Sequence, residues 1–121
     1  MKSIRLKFAV SEVEVSKIET DMILFALRVI VDKIPLWEFQ TRMGYYMEEV
    51  QSLIDKLYVI TENHRTLENY NFDLSLDELI IIEQALAACG YTEKNKSVEK
   101  ELFQSVKELI TIMESIDSNS E

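Results

Sequence analysis

Apolar and polar residues alternate at the start of the chain. Ile4, Leu6, Phe8 and Val10 are interleaved with Arg5, Lys7 and Ala9, a two-residue period that predicts one β-strand near residues 2–10. The period slips at Ser11-Glu12 and resumes with Val13 and Val15. Residues 11–15 therefore read either as a bulged continuation of the strand or as a premature first helical turn. From Ser16 the spacing becomes helical. Ile18, Met22, Phe25 and Val29 recur at intervals of four, three and four, and Ile23, Leu24, Leu27, Ile30 and Val31 make this segment apolar on nearly every side. Such a helix belongs at the centre of a fold, and its seam places Phe25 in the core, as the equivalent seam of a later helix places Leu86.

Further along, Pro35 opens a short helix through Arg42, and Gly44 suits the left-handed position that ends one. Tyr46 to about Val59 sets Met47, Val50, Ile54 and Leu57 on one helical face. Residues 61–71 have the polarity of a loop, and Phe72-Asp73-Leu74 reads as a short strand. A helix then runs to Cys89, stopped by Gly90, with Tyr91 placed to fold back on Leu86. Ser97 caps a last helix whose seam is Val98, Leu102, Val106, Leu109, Met113 and Ile116. Asp117 to Glu121 forms a polar tail expected to fray.

Two of these helices start alike. Ser16-x-x-Glu19 and Ser75-x-x-Glu78 both have the form of a capping box, in which the two side chains satisfy free N–H groups of the first turn. They lie 59 positions apart and share downstream Ala-Leu pairs, Ala26-Leu27 and Ala85-Leu86. Glu48-Glu49-Val50-Gln51-Ser52-Leu53 likewise resembles Glu101-Leu102-Phe103-Gln104-Ser105-Val106 at a shift of 53. The fold class expected is mainly α: a helical bundle of two similar helical hairpins, residues 16–59 and 75–116, with a short N-terminal β-strand. The scarcity of turn formers, two Gly and one Pro in 121 residues, excludes a sandwich or barrel. The length suits a single domain over 1–121.

The formal charge of −9 weighs against nucleic acid and against anionic membranes, and towards a basic protein partner. The first residues lack a continuous signal-type apolar run, and the longest apolar stretch, Met22 to Val31, is short and broken by Arg28. The chain is thus expected in the cytoplasm. A lone Cys89 excludes an internal disulfide.

Catalytic chemistry has little to stand on. His64 is the only histidine, Cys89 closes an apolar helix, and no Gly-rich phosphate loop or spaced ligand pattern occurs; catalytic, cofactor-binding and metal-binding residues are all read as none. Pro35–Gly44 followed by Tyr46–Val59 has the outline of a helix-turn-helix, but Tyr45, Tyr46, Met47, Glu48 and Glu49 at the start of its second helix would repel DNA. Those same residues suit a protein. Glu48, Ser52 and Asp55 share a helical stripe beside the aromatics Trp37, Tyr45 and Tyr46, and an acidic rim with aromatic anchors is the composition of a binding hot spot. The partner-binding residues expected are Tyr45, Tyr46, Glu48, Glu49 and Asp55, set against the reading of a solvated face beside core aromatics.

The segment Glu38-Phe39-Gln40-Thr41-Arg42-Met43-Gly44 through Glu48-Glu49-Val50, preceded by a capped helix carrying Ala-Leu, resembles small bacterial helical proteins of the toxin-immunity and phage-borne kinds. The resemblance implies a non-enzymatic protein that works by binding, as a stoichiometric inhibitor of a toxin or defence effector. Its acidity fits, since immunity proteins that block nucleases present negative surface to a basic active site. Two other readings stand beside it: an assembly subunit forming a homodimer, and a small-ligand binder with a pocket between the hairpins.

Overall fold

The computed structural model describes residues 1–7, 10–64, 67–89 and 96–119. Strands β1 (Lys2–Lys7), β2 (Val10–Ser16) and β3 (Asn69–Ser75) form an antiparallel sheet with β2 in the middle. Helices α1 (Lys17–Lys33), α2 (Leu36–Met43) and α3 (Met47–Asn63) separate β2 from β3, and α4 (Leu76–Cys89) and α5 (Lys96–Asn119) follow it. Ser11, Val13 and Val15 of β2 and Tyr70, Phe72 and Leu74 of β3 are buried on one face of the sheet, under the helices. The other face carries Glu12, Glu14, Asn71 and Asp73.

The chain is mainly helical, but a bundle of two helical hairpins with one short strand is not its architecture. The three-stranded antiparallel sheet replaces it. Residues 11–15 are strand rather than a helical turn, because alternation of Val13 and Val15 with Glu12 and Glu14 lets one face pack and the other stay wet. Asn69 and Asn71, expected in a loop, belong to β3: their polar side chains point outward while Tyr70 and Phe72 point in. Nor does one strand span residues 2–10, since β1 ends at Lys7 and β2 starts at Val10 as its antiparallel partner.

The two Ser-Glu boxes close as drawn from their spacing. Ser16 Oγ accepts from the Glu19 N–H at 3.1 Å and Glu19 Oε1 from the Ser16 N–H at 3.0 Å. Ser75 Oγ and Glu78 Oε1 repeat the exchange at 3.2 and 2.9 Å. Val13 and Phe72 are also 59 positions apart, and they stand directly opposite one another in the β2–β3 ladder. A local two-fold axis of that ladder therefore passes between positions equivalent by the same shift, and α1 and α4, which follow these strands, pack on each other. Helix α3 lies against α1, and α5 against α4.

The buried face of α1 consists of Met22, Ile23, Leu24, Ala26, Leu27 and Ile30. Phe25, expected in the core, is 57% exposed, and so is Ile18, seven residues before it on the same seam. An all-round apolar helix offers several faces, and the sheet and α4 take the one that holds Ile23 and Leu27, turning the Ile18–Phe25 stripe outward. Leu86 is buried. Gly44 ends α2 with φ of 79°, the left-handed conformation that glycine adopts without strain. The expected stop at Gly90 and the fold-back of Tyr91 lie outside the described residues. Ser97 sits inside the first turn of α5 rather than at its cap, and the helix continues to Asn119 through most of the segment expected to fray.

Candidate functional site

Helices α1 and α3 lie side by side, and their outward edges leave a groove. Its α1 wall is formed by Asp21, Phe25, Arg28 and Asp32, at intervals of four, three and four. The α3 wall is Gln51, Asp55, Tyr58 and Glu62, with the same intervals. Each set is one stripe of a helix, so the two walls face each other along several turns. The half near Asp21 and Glu62 has a volume of about 520 Å³ with Tyr70 of β3 in its lining. The half near Asp32 and Asp55 has about 420 Å³.

Arg28 and Tyr58 belong to both halves. The guanidinium carbon sits 5.0 Å from the Tyr58 ring centroid, a cation–π stack that bridges the two walls. Arg28 forms no ion pair with any described residue. Phe25 and Tyr58, 57% and 41% exposed, are the exposed aromatic rings of the groove. Its rim carries carboxylates at Asp21, Asp32, Asp55 and Glu62, against the cations Lys17 and Arg28. Beyond the Asp32 end the chain turns into α2, whose Leu36 and Trp37 are 67% and 83% exposed.

Of the five residues expected to bind a partner, Tyr45, Tyr46, Glu48 and Glu49 stand at the start of α3, and Asp55 lies two turns further along that helix. Tyr45 is half-buried and packs against the core. Burial, and then the charges of Asp77 and Glu49, push its phenol pKa up. Glu49 accepts the Tyr46 N–H at 3.2 Å and so serves to cap α3. Tyr46 and Glu48 are exposed at the same helix end. Asp55 alone lines the groove, where it accepts a hydrogen bond from Gln51 Nε2 at 3.3 Å.

Phe25, Arg28 and Tyr58 were not read as site residues. One sign of them was in the sequence: Arg28 interrupts the apolar run Met22–Val31, which marks one side of that helix as outward. Tyr58 falls three residues beyond Asp55, on the same helical stripe.

Among the described residues no group of three His, Cys, Asp or Glu side chains is arranged to hold a metal ion. His64 is exposed at the cap that ends α3. No described helix is long and apolar enough to cross a membrane. Comparison of the chain with protein-family models, with curated proteins and with solved structures gave no match.

Proposed function

We propose that this chain is a non-enzymatic protein-binding module of the cytoplasm, a stoichiometric inhibitor that grips a basic effector in the groove between α1 and α3. The observation that carries this reading is the pairing of exposed aromatic rings with an acidic rim. Phe25 and Tyr58 stand in the groove with Arg28 stacked on Tyr58, and Asp21, Asp32 and Asp55 border it. Aromatic and Arg side chains at the centre of a contact supply most of its binding energy, and the charges around them steer the approach of a partner of opposite sign. The net charge of −9 acts in the same direction at longer range.

Wild-type chain and a Phe25→Ala/Tyr58→Ala variant, used side by side as baits in lysate of the native host, test the proposal. A protein held by the wild type and lost by the variant, in an equimolar complex that abolishes the captured protein's own activity, is the expected result. Retention of the same proteins by both baits would remove the groove from consideration.

A further inference from the structure

Strand β1 is an outer strand of the sheet. It pairs with β2 along one edge, and along its other edge no described residue pairs with it. Such an edge presents N–H and C=O groups at strand spacing and can accept one more strand. Register decides what each face of that strand offers. Lys2 and Arg5 stand opposite Glu14 and Glu12 on the solvent face, while Ser3 and Leu6 stand opposite Val13 and Ser11 on the side of the helices. Ile4 is taken up in the irregularity between Ser3 and Arg5. On the helix side a cavity of about 130 Å³ opens between Met1 and Ser3 and the α5 residues Ser105, Glu108, Leu109 and Ile112. Ile4, Leu6 and Ile112 are all exposed large apolar side chains.

Charge selects among the strands that could add here. A second copy pairing β1 to β1 antiparallel would set the Lys2–Arg5 cations of each chain on the same face as those of the other, and like charges facing across strands are destabilising. The neighbour that β1 already has shows the complementary pattern. In β2 the acids Glu12 and Glu14 alternate with the inward Val13 and Val15. We propose that the outer edge of β1 takes an extended acidic segment of a partner protein as a fourth strand. Its acidic side chains lie beside Lys2 and Arg5, and its alternate apolar side chains cover Ile112 and the cavity beside it. This edge shares no residue with the α1–α3 groove, so it stands whether or not the groove binds a partner.

The probe is a blocked peptide with the β2 pattern, acetyl-Ser-Glu-Val-Glu-Val-Ser-amide, titrated into the isotope-labelled full chain and followed by NMR. Saturable shifts confined to Lys2–Lys7 and the α5 residues around Ile112 are expected. Replacing both Glu by Lys, or methylating alternate backbone nitrogens of the peptide, should each weaken binding by at least about tenfold. The methylated peptide keeps every side chain and loses only main-chain pairing, so equal binding by it would overturn strand addition. An absence of shifts in β1 with the parent peptide would also overturn the proposal. So would concentration-dependent shifts in β1 without peptide, together with the mass of a dimer, because the edge would then belong to a second copy.

Discussion

The Glu19 carboxylate accepts from the N-terminal ammonium of Met1 and from the Ser16 N–H. Burial pushes this carboxyl up, but those hydrogen bonds and the nearby positive charge outweigh it, and the net shift is downward from 4.5. A carboxyl lowered on folding stabilises the native state above its unfolded pKa, and that stability is lost as pH falls through the folded value. Glu19→Gln is accordingly expected to lower stability by about 1 kcal/mol at neutral pH. It should also lessen the acid loss below pH 4.5, measured as denaturant midpoints across a pH series. A second residue-scale contrast separates two side chains that sequence periodicity treats alike. Leu86 is 7% exposed, Phe25 57%. Leu86→Ala should cost about 2–5 kcal/mol, whereas Phe25→Ala should stay within about 1 kcal/mol. Equal losses at the two positions in urea unfolding would show that Phe25 is packed after all.

At the scale of elements, the helix starts are local devices. Each capping box joins residues three apart, so it needs nothing from the rest of the fold and could be read from Ser16-x-x-Glu19 and Ser75-x-x-Glu78. Ser16→Ala and Ser75→Ala should each lower stability by about 1 kcal/mol. The two hydroxyls cap different helices with separate partners, so the double variant should show the sum of the two losses, and a large departure in thermal unfolding would mean that the helix starts are coupled through the sheet. Strands were harder. Asn69, Asn71 and Asp73 are turn residues by type, and they sit in β3 because the hydrophobic partners of Tyr70, Phe72 and Leu74 come from helices elsewhere in the chain. Lys56 adds a tie between elements, donating to the Asp73 carbonyl and pairing with Glu78 at 2.9 Å, which holds α3 to the β3–α4 junction.

For the molecule as a whole, the groove exists only because α1 and α3, joined through α2, come to lie side by side. With a bound partner in hand, its two kinds of residue should separate kinetically. Asp32→Lys with Asp55→Lys should slow association and flatten its dependence on ionic strength, with little change in melting temperature, because rim charges act mainly on encounter. Tyr58→Ala should leave association nearly unchanged and speed dissociation, because buried contact is what holds a formed complex. Association rates at low and high salt, with wild type and both variants, check this. A charge reversal that leaves low-salt association untouched would reduce the acidic rim to a solvated surface.

Local pattern was enough for the Ser16 and Ser75 caps, the left-handed end of α2 at Gly44 and the acidic net charge. All of these are set by residues within a few positions of one another or by composition alone. Which side of an all-round apolar helix would be covered could not be read that way. Ile18 and Phe25 have the same spacing and chemistry as residues of the core, and only the docking of the sheet and α4 on the Ile23–Leu27 side left them outside. Asp55 was legible as an exposed acid on a helical stripe, but its place in a groove depends on Arg28, 27 positions earlier, stacking on Tyr58. Periodicity records how one segment divides its own surface. Contacts between segments decide which part of that surface stays in water, and it was those contacts that brought Phe25, Arg28, Tyr58 and Asp55 to one groove.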